Sequence, residues 1–172
     1  FRAVRIGPGS TDPDLGPLVS TKQQAQVADF VGAITSGHVV VGVTVPADDA
    51  LRGGAYFTPT IVDGVQPDSR IAQEEVFGPV LAVLTFDRPE EAVRIANATE
   101  YALMGAVWTA DISRALTTAR GIEAGQVYVN AFGAGGGVEL PFGGFRKSGY
   151  GREKGVEALD AYTQSKTFII KL

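Results

Sequence analysis

Apolar residues recur along this chain with two different spacings, and stretches of the two kinds alternate. After a loop rich in Gly, Pro and Asp, residues 21 to 36 carry apolar side chains every three or four positions, the period of an amphipathic helix. Ser20 and Gln23 form a capping box at the start of this helix, and Gly37 offers a left-handed residue at its end. The β-branched run HVVVGVTV, which begins at His38, then predicts a strand.

A second extended segment, YFTPTIV, spans residues 56 to 62 after a polar turn region at residues 46 to 54. Pro59 lies inside this segment and has no backbone N–H to donate to a neighbouring strand. We therefore expect the segment to be an edge strand or an irregular one.

From Val80 onward, strand and helix patterns alternate regularly. Three short apolar runs predict strands, and a helical pattern lies in each interval between them; the runs are VLAVLTF, LMGAVWT and GQVYVN. Asp87 and Glu90 predict a capping box at the start of the first helix, and Asp111 predicts an N-cap for the second. Strands joined by helices favour parallel pairing, so the chain predicts an α/β fold: a mostly parallel sheet with flanking helices.

The pattern changes after Asn130, where a Gly-rich stretch, AFGAGGGVELPFGGFRKSGYG, follows the end of a predicted strand. Open α/β sheets place ligand-binding loops at that edge of the sheet. A helix is expected from Arg152 to Tyr162, with Val156 and Leu159 on the same apolar stripe. The closing residues, SKTFIIKL, predict a C-terminal edge strand with no evident partner in the chain.

Composition narrows the class of protein. The 172 residues are 45% hydrophobic and 20% charged, with a net charge of −4, which suits an ordered globular protein. Because nucleic-acid binders normally carry a basic face, we expect no nucleic-acid partner. No apolar run approaches the length of a membrane span, so we expect no membrane association and a cytoplasmic location. The chain begins with Phe1 and not with Met, which suggests a piece of a longer protein.

Common catalytic motifs are missing from the sequence. It has no cysteine and one histidine, His38, so the usual zinc ligand sets cannot form, and we expect no metal site. We expect His38 to start a strand. No G-x-S-x-G motif occurs, and Lys147 beside Ser148 is a poor Ser-Lys pair because neighbours on a Gly-rich loop seldom face each other. The residues alone therefore predict a scaffold with loops and no complete catalytic set.

Two further features leave alternatives open. The Gly-rich loop has neither G-x-G-x-x-G nor a P-loop, so it is either a connector with tight backbone packing or a loop that faces a substrate. In AQEEVFGPV, Glu74 and Glu75 stand directly before an apolar pair and a Gly-Pro turn. Such an acidic pair is ordinarily a solvated one.

Several stretches, taken in order, resemble the C-terminal half of the catalytic region of the aldehyde dehydrogenase superfamily. The combination of EEVFGPV with a later PFGG-x-x-x-SG-x-GRE is the most specific part of this resemblance. The matching stretches are LGPLVS (15–20), GGAYFTPTIV (53–62), IAQEEVFGPVLAVLTF (71–86), NATEYALMGAVWT (97–109), GQVYVNAF (125–132), PFGGFRKSGYGREKG (141–155) and AYTQSKTFIIKL (161–172).

The resemblance implies an enzyme that oxidises an aldehyde to a carboxylic acid with NAD or NADP, through a cysteine thiohemiacetal and a thioester. It implies that Glu75 accepts hydrogen bonds from the nicotinamide-side ribose, that Phe77 packs beside the nicotinamide and that Leu103 lies near it. Ala102 stands where a glycine is common in the family. Phe142 matches an aromatic of the aldehyde tunnel, although a core aromatic that anchors the Gly-rich turn remains the alternative. We interpret Glu74 as either a structural acid or a solvated one.

The missing cysteine is the main departure from the family pattern. The family's nucleophile, its general base and its oxyanion asparagine all precede the position that matches Phe1, and Asn130 is not that asparagine. The sequence therefore assigns no catalytic residue to this chain and predicts that the chain alone is inactive. The alternative is a non-catalytic assembly or binding module derived from such an enzyme; a phosphate-binding Gly loop is a third hypothesis.

The resemblance also implies a division of the chain. Residues 1–163 match part of a catalytic domain, and residues 164–172 match a terminal oligomerisation strand. An unpaired strand edge tends to pair with another chain, so we expect a homo-oligomer, either a dimer or a tetramer. Arg152 is expected either to brace that assembly surface or to cap its own helix.

Overall fold

A computed structural model describes residues 1–42, 49–133 and 137–172 of the chain. The chain divides into two compact units, Phe1–Thr85 and Phe86–Leu172, here called the first unit and the second unit. Both contain helices and small sheets, and the described residues form three sheets. The α/β fold class is confirmed, but its strands are distributed over several small sheets.

The first unit contains a three-stranded sheet with the order β1-β2-β3. β1 pairs with β2 in antiparallel orientation, and β2 pairs with β3 in parallel orientation. The helices and strands of this unit are α1 (Thr21–Gly32), β1 (His38–Val41), β2 (Thr60–Asp63), α2 (Arg70–Gln73) and β3 (Val80–Ala82), with 3-10 helices at Gly9–Thr11 and Asp49–Leu51. The predicted continuation of β1 beyond Gly42, and part of the polar turn region after it, lie outside the described residues.

Of the two alternatives for YFTPTIV, the edge strand is wrong, whereas the irregular strand is supported by the shortness of β2 and by a register shift in its pairing with β1 between Val39 and Val41. β2 is the central strand of its sheet, with a neighbour on each side. Pro59 is tolerated because it lies one residue before β2, so the missing N–H removes no bond from the ladder. Thr60, the first strand residue, donates its own N–H to the Pro79 carbonyl at 2.8 Å.

Helix α1 begins as predicted and ends earlier than predicted. The Ser20 hydroxyl accepts a hydrogen bond from the Gln23 N–H at 3.1 Å, which confirms the N-cap half of the predicted capping box. The other half is wrong, because the Gln23 side chain bonds to the Phe77 carbonyl and not back to Ser20. The helix ends at Gly32, before the predicted stop. Gly37 does adopt a left-handed φ of 81°, but it serves the approach to β1, where a Cβ would lie 2.6 Å from the Asp63 carbonyl oxygen.

The core of the first unit lies between α1 and the sheet. Val27 and Val62 are fully buried, and Phe57 is 2% exposed. Val27 and Phe57 share one apolar cluster, whereas Val62 packs with Phe30 in a second cluster; both clusters contact Val76 and Val80. The apolar stripe predicted for α1 is thus the face that the helix buries.

The second unit contains two two-stranded sheets. β5 pairs with β6 in parallel orientation, and β4 pairs with β7 in antiparallel orientation. The elements are α3 (Pro89–Ala96), β4 (Tyr101–Ala102), β5 (Met104–Val107), α4 (Ile112–Gly121), β6 (Gln126–Val129), β7 (Phe145–Arg146) and α5 (Ala158–Tyr162). The strand–helix–strand unit β5-α4-β6 has the parallel pairing that the sequence predicted.

One of the two caps predicted in this unit is confirmed. The Asp111 carboxylate accepts from the Arg114 N–H at 3.0 Å at the start of α4. The capping box at Asp87 and Glu90 is wrong, because it is Glu91 whose carboxylate accepts from the Asp87 N–H, at 3.1 Å. The acidic residue that reaches back is one position further along the helix than the pattern suggested.

The C-terminal region is less helical than predicted. α5 begins at Ala158, not at Arg152, because Lys154 and Gly155 both adopt left-handed φ angles that a continuous helix cannot contain. Residues 163–172 belong to no helix or strand within the described chain, and they are exposed. The division into residues 1–163 and 164–172 stays a prediction.

None of the helices in the described ranges is long and apolar enough to cross a membrane.

Replacing Ser20 with alanine should destabilise the chain, because the first turn of α1 loses its side-chain acceptor. The expected loss is about 1 kcal/mol of unfolding free energy. Chemical denaturation followed by circular dichroism measures this loss. Thr21→Ala, one position along and without the cap bond, is the control; equal destabilisation by both substitutions would contradict the cap.

Candidate functional site

Glu74 ends α2 and is fully engaged with it. Its N–H donates to the Arg70 carbonyl at 2.8 Å, and its carboxylate accepts from Arg70 Nε at 2.9 Å. The Arg70 guanidinium also lies 4.1 Å from the centre of the Phe30 ring on α1. Glu74 is therefore a structural acid that is paired on the surface, as one of the two sequence interpretations had it.

Glu75 differs from its neighbour in every one of these respects. Its side chain is exposed, and it makes no hydrogen bond or ion pair with any residue in the described part of the chain. A carboxylate has two oxygens that together can accept several hydrogen bonds. The acceptor capacity of Glu75 is thus available to a ligand.

Phe77 presents its ring outward on a strained backbone. The residue is 67% exposed and has a φ of 54°, in the left-handed region that costs a non-glycine residue about 1–3 kcal/mol. Its carbonyl oxygen accepts from Gln23 Nε2 of α1 at 2.9 Å. The next residue, Gly78, lies so close to α1 that a Cβ would come within 2.6 Å of a Val27 methyl group.

Two open grooves meet at this segment. One has a volume of about 480 Å³ and continues along Gly78, Val80 and Ala82. The other has a volume of about 610 Å³ and runs along α1 past Gln26 and Asp29. Both are bordered by residues 74 to 77, so the Glu75 carboxylate and the Phe77 ring stand where the two grooves join.

Leu103, in the second unit, lies between β4 and β5 and is half-buried. Its carbonyl accepts from the Gln126 N–H at 3.1 Å, which fixes its backbone to β6. The preceding Ala102 is buried, and its N–H donates to the Ser148 hydroxyl at 2.9 Å.

Phe142 is half-buried and belongs to a braced loop. It exchanges two backbone hydrogen bonds with Glu153, at 2.7 and 2.8 Å, and Lys154 Nζ lies 5.4 Å from the centre of its ring. Arg152 donates to the carbonyls of Gly144 and Gly151, at 3.0 and 2.6 Å. Arg152 therefore braces the Gly-rich loop and does not cap α5; its role in assembly stays a prediction.

The remaining candidate residues do not border either of these two grooves. His38 is the first residue of β1, as predicted. Lys147 is bonded to Glu100, and this hydrogen bond raises the pKa of the lysine, which is opposite to what a Ser-Lys base requires. Ser148 is engaged with a backbone N–H and not with Lys147.

Asn130 has a structural task that its sequence context did not indicate. Its side chain accepts from the Thr109 N–H at 2.9 Å and donates to the Thr109 carbonyl at 3.0 Å, which ties together the carboxyl ends of β5 and β6.

Among residues 1–42, 49–133 and 137–172, no group of His, Cys, Asp and Glu is arranged to hold a metal ion. Gln23 was noted in the sequence only as part of a cap, and no local pattern could reveal its contact with Phe77.

Comparison with protein-family models gives one assignment for nearly the whole chain. The model for the "Aldehyde dehydrogenase family" matches residues 1–168. A betaine aldehyde dehydrogenase from Agrobacterium fabrum is 42% identical over 158 residues, which is 91% of this chain and 32% of that protein. A 2-hydroxymuconic semialdehyde dehydrogenase from Pseudomonas putida is 41% identical over 174 residues, 99% of this chain and 36% of that protein.

Solved structures agree with this assignment. An indole-3-acetaldehyde dehydrogenase from P. syringae, in complex with NAD+ and IAA, superposes with a TM-score of 0.91 at 46% identity, over 99% of this chain and 34% of that one. A betaine aldehyde dehydrogenase from Staphylococcus aureus, in complex with NAD+, superposes with a TM-score of 0.89 at 35% identity, over 94% of this chain and 32% of that chain.

This chain spans about a third of the length of these relatives, as the coverage of 32–36% shows. The agreement in sequence and in fold nevertheless extends over nearly all of its own residues. The chain belongs to the aldehyde dehydrogenase family.

Proposed function

We propose that this chain forms the C-terminal part of an NAD(P)-dependent aldehyde dehydrogenase that oxidises an aldehyde to a carboxylic acid. The observation that carries the proposal is the contrast between two adjacent acids. Glu74 is bonded to Arg70, whereas Glu75 is exposed, without a partner in the described chain, at the junction of two grooves beside the Phe77 ring. Similar proteins solved in complex with NAD+ support the choice of cofactor.

Glu75 is assigned to the nicotinamide-side ribose. A vicinal diol offers two O–H donors, and the two carboxylate oxygens can accept one from each. A hydrogen bond to a charged acceptor contributes about 1.5–3 kcal/mol. Because the carboxylate has no competing partner in the described residues, it can accept these bonds from the ligand without breaking others.

Phe77 is assigned to the nicotinamide end of the same ligand. An exposed aromatic ring supplies flat apolar contact area and excludes water from one side of a bound ring. When bound, NAD(P) would act as the oxidant of the aldehyde. The residues of this chain contribute by orienting the cofactor and by excluding water, and none of them is assigned a covalent or proton-transfer step.

Leu103 and Phe142, both in the second unit, are each assigned a role of their own. Leu103 is assigned an apolar contact near the nicotinamide, on a backbone fixed by Gln126. Phe142 is assigned to the wall of the aldehyde tunnel, where its position is set by its two backbone bonds to Glu153. The buried Ala102, which replaces a common glycine, directly precedes Leu103 and is part of the same fixed backbone.

Substituting glutamine for Glu75 in the intact enzyme should slow the formation of NADH in a single turnover. Glutamine keeps an acceptor oxygen but lacks the negative charge, so we expect the rate to fall about tenfold or more. Stopped-flow absorbance with saturating NAD+ measures the rate.

Glu74→Gln is the matched control for this experiment, because its charge is engaged with exposed Arg70 outside the proposed ribose contact. We expect it to change the rate by less than about twofold, as is usual for a surface ion pair. Equal losses in the two variants would remove Glu75 from the site.

The 172-residue chain by itself should neither oxidise aldehydes nor bind NAD+ appreciably. It contains no cysteine nucleophile, and the proposed contacts reach only one end of the dinucleotide. Absorbance at the NADH band and isothermal titration calorimetry test both statements. Turnover by the isolated chain would contradict the assignment of its residues to orientation alone.

Residues 164–172 should drive association between copies of the chain. Phe168, Ile169 and Ile170 are exposed in a segment that pairs with no strand of the described chain, and such segments tend to pair with other chains. Light scattering at high protein concentration should show dimers or tetramers. The double variant Phe168→Glu, Ile170→Glu should shift the population to monomer.

Tyr150→Glu is the control for this association, since Tyr150 is fully exposed and lies outside the terminal segment. It should leave the distribution of molar mass unchanged. A wild-type chain that stays monomeric, or an equal effect of both changes, would contradict an oligomerisation strand at residues 164–172.

A further inference from the structure

Strand β6 carries two polar side chains on one face, and they are bonded to each other. Gln126 and Tyr128 are two positions apart, the spacing that places residues on the same side of a strand. The Tyr128 hydroxyl donates to Gln126 Oε1 at 2.8 Å, and Gln126 Nε2 donates to the Pro141 carbonyl at 3.1 Å. The two side chains thus form a relay of hydrogen bonds from the strand to the Gly-rich loop.

The donors and acceptors of this relay allow one arrangement. The Pro141 carbonyl can only accept a hydrogen bond, so the amide nitrogen of Gln126 faces it. The amide oxygen then faces Tyr128, and because that oxygen can only accept, the tyrosine hydroxyl is the donor. The hydroxyl therefore holds the amide in the orientation in which it can bond to Pro141.

The bond from Gln126 connects this part of the loop to the sheet. Among the described residues, the other hydrogen-bond partners of residues 138–142 are residues 153–155, which lie between β7 and α5 and belong to no named strand. Phe142 directly follows Pro141 in the chain. The position of the Phe142 ring relative to β6 therefore depends on the bond between Gln126 and Pro141.

Tyr128 also contacts the start of the loop. The centre of its ring lies 6.1 Å from that of Phe132, and the two planes are inclined by 52°, a geometry typical of favourable aromatic pairs. Phe132 itself is exposed. Tyr128 thus contacts the loop near its beginning through its ring and reaches Pro141, further along, through Gln126.

We propose that Tyr128 and Gln126 are positioning residues of the aldehyde end of the site: their relay to Pro141 sets the position of the Phe142 ring and thereby the length of aldehyde that binds well. This inference rests on the proposed function, which assigns Phe142 to the wall of the aldehyde tunnel. Without the Tyr128 hydroxyl, the Gln126 amide is free to turn, its bond to Pro141 weakens, and Phe142 moves relative to β6. Long aldehydes then lose contact with this wall, whereas short aldehydes do not extend to it.

The test uses Tyr128→Phe, Gln126→Leu and the double variant in the intact enzyme. Tyr128→Phe removes the hydroxyl and keeps the ring beside Phe132. Gln126→Leu removes the amide and keeps the backbone N–H that bonds to Leu103. The readouts are kcat and KM at saturating NAD+ for straight-chain aldehydes from propanal to decanal, the thermal unfolding midpoint, and the position of Phe142 in a crystal structure of each variant.

Each single variant should raise KM about fivefold for the longest aldehyde that the wild-type enzyme oxidises, a factor that corresponds to the net contribution of one hydrogen bond. KM for propanal and kcat should stay unchanged, and the Phe142 ring should be displaced from its wild-type position. Because Tyr128 acts on Pro141 through Gln126, the double variant should match Gln126→Leu alone. The proposal is overturned if Phe142 keeps its position, if KM rises equally for short and long aldehydes, or if the two effects add.

Tyr150→Phe and Gln24→Leu are the matched controls. Tyr150 is fully exposed, and its hydroxyl makes no hydrogen bond with a described residue. Gln24 is half-buried like Gln126 and donates from Nε2 to the Tyr56 carbonyl at 2.6 Å, the same type of bond in the first unit. Both controls should leave KM for every aldehyde of the series unchanged, even where Gln24→Leu lowers the unfolding midpoint as much as Gln126→Leu does. A rise in KM for long aldehydes in Gln24→Leu equal to that in Gln126→Leu would contradict a specific role of the relay.

Phe142→Leu separates failure of this inference from failure of the proposed function. If Phe142→Leu raises KM for the long aldehyde and the relay variants do not, only the positioning role is lost. If none of these substitutions changes KM, the assignment of Phe142 to the aldehyde tunnel is wrong, and the positioning role falls with it.

Discussion

The contact between helix α1 and the Phe77–Gly78 turn is the constraint on which the first unit depends. Val27 is fully buried, and the missing side chain of Gly78 is what allows the turn to approach it. β3 begins two residues after Gly78, so the position of this turn sets where β3 starts its pairing with β2. The close approach of Gly78 to α1 thus sets the packing of the core, the register of the sheet and the position of the exposed segment together.

The same constraint explains why two neighbouring acids have different tasks. Glu74 is still within reach of α2 and can pair with Arg70. Glu75 lies one residue further along an extended backbone, where successive side chains point in opposite directions, and it is left in the groove. The two side chains are chemically identical, and the backbone geometry alone gives them different contacts.

In the second unit, loops are held by side chains that bond to backbone groups. Asn130 joins the ends of two parallel strands, and Arg152 holds the carbonyls of Gly144 and Gly151. Gly143 is approached so closely by Gly125 that a Cβ on the latter would overlap its carbonyl oxygen. Tight backbone packing, one of the two alternatives left open by the sequence, therefore accounts for Gly143 and Gly144, and it gives Phe142 a fixed support.

The sequence by itself determined the α/β class, most strands, the caps at Ser20 and Asp111, and the family, because periodicity, capping and motifs are encoded by residues close together in the chain. Only the tertiary structure decided that β2 is central, that α5 starts late, and which of the acids at positions 74 and 75 has a partner among the described residues. These features depend on contacts between residues far apart in sequence. The bond from Gln23 to Phe77 is such a contact, since a glutamine side chain has no local pattern that names a carbonyl 54 residues away.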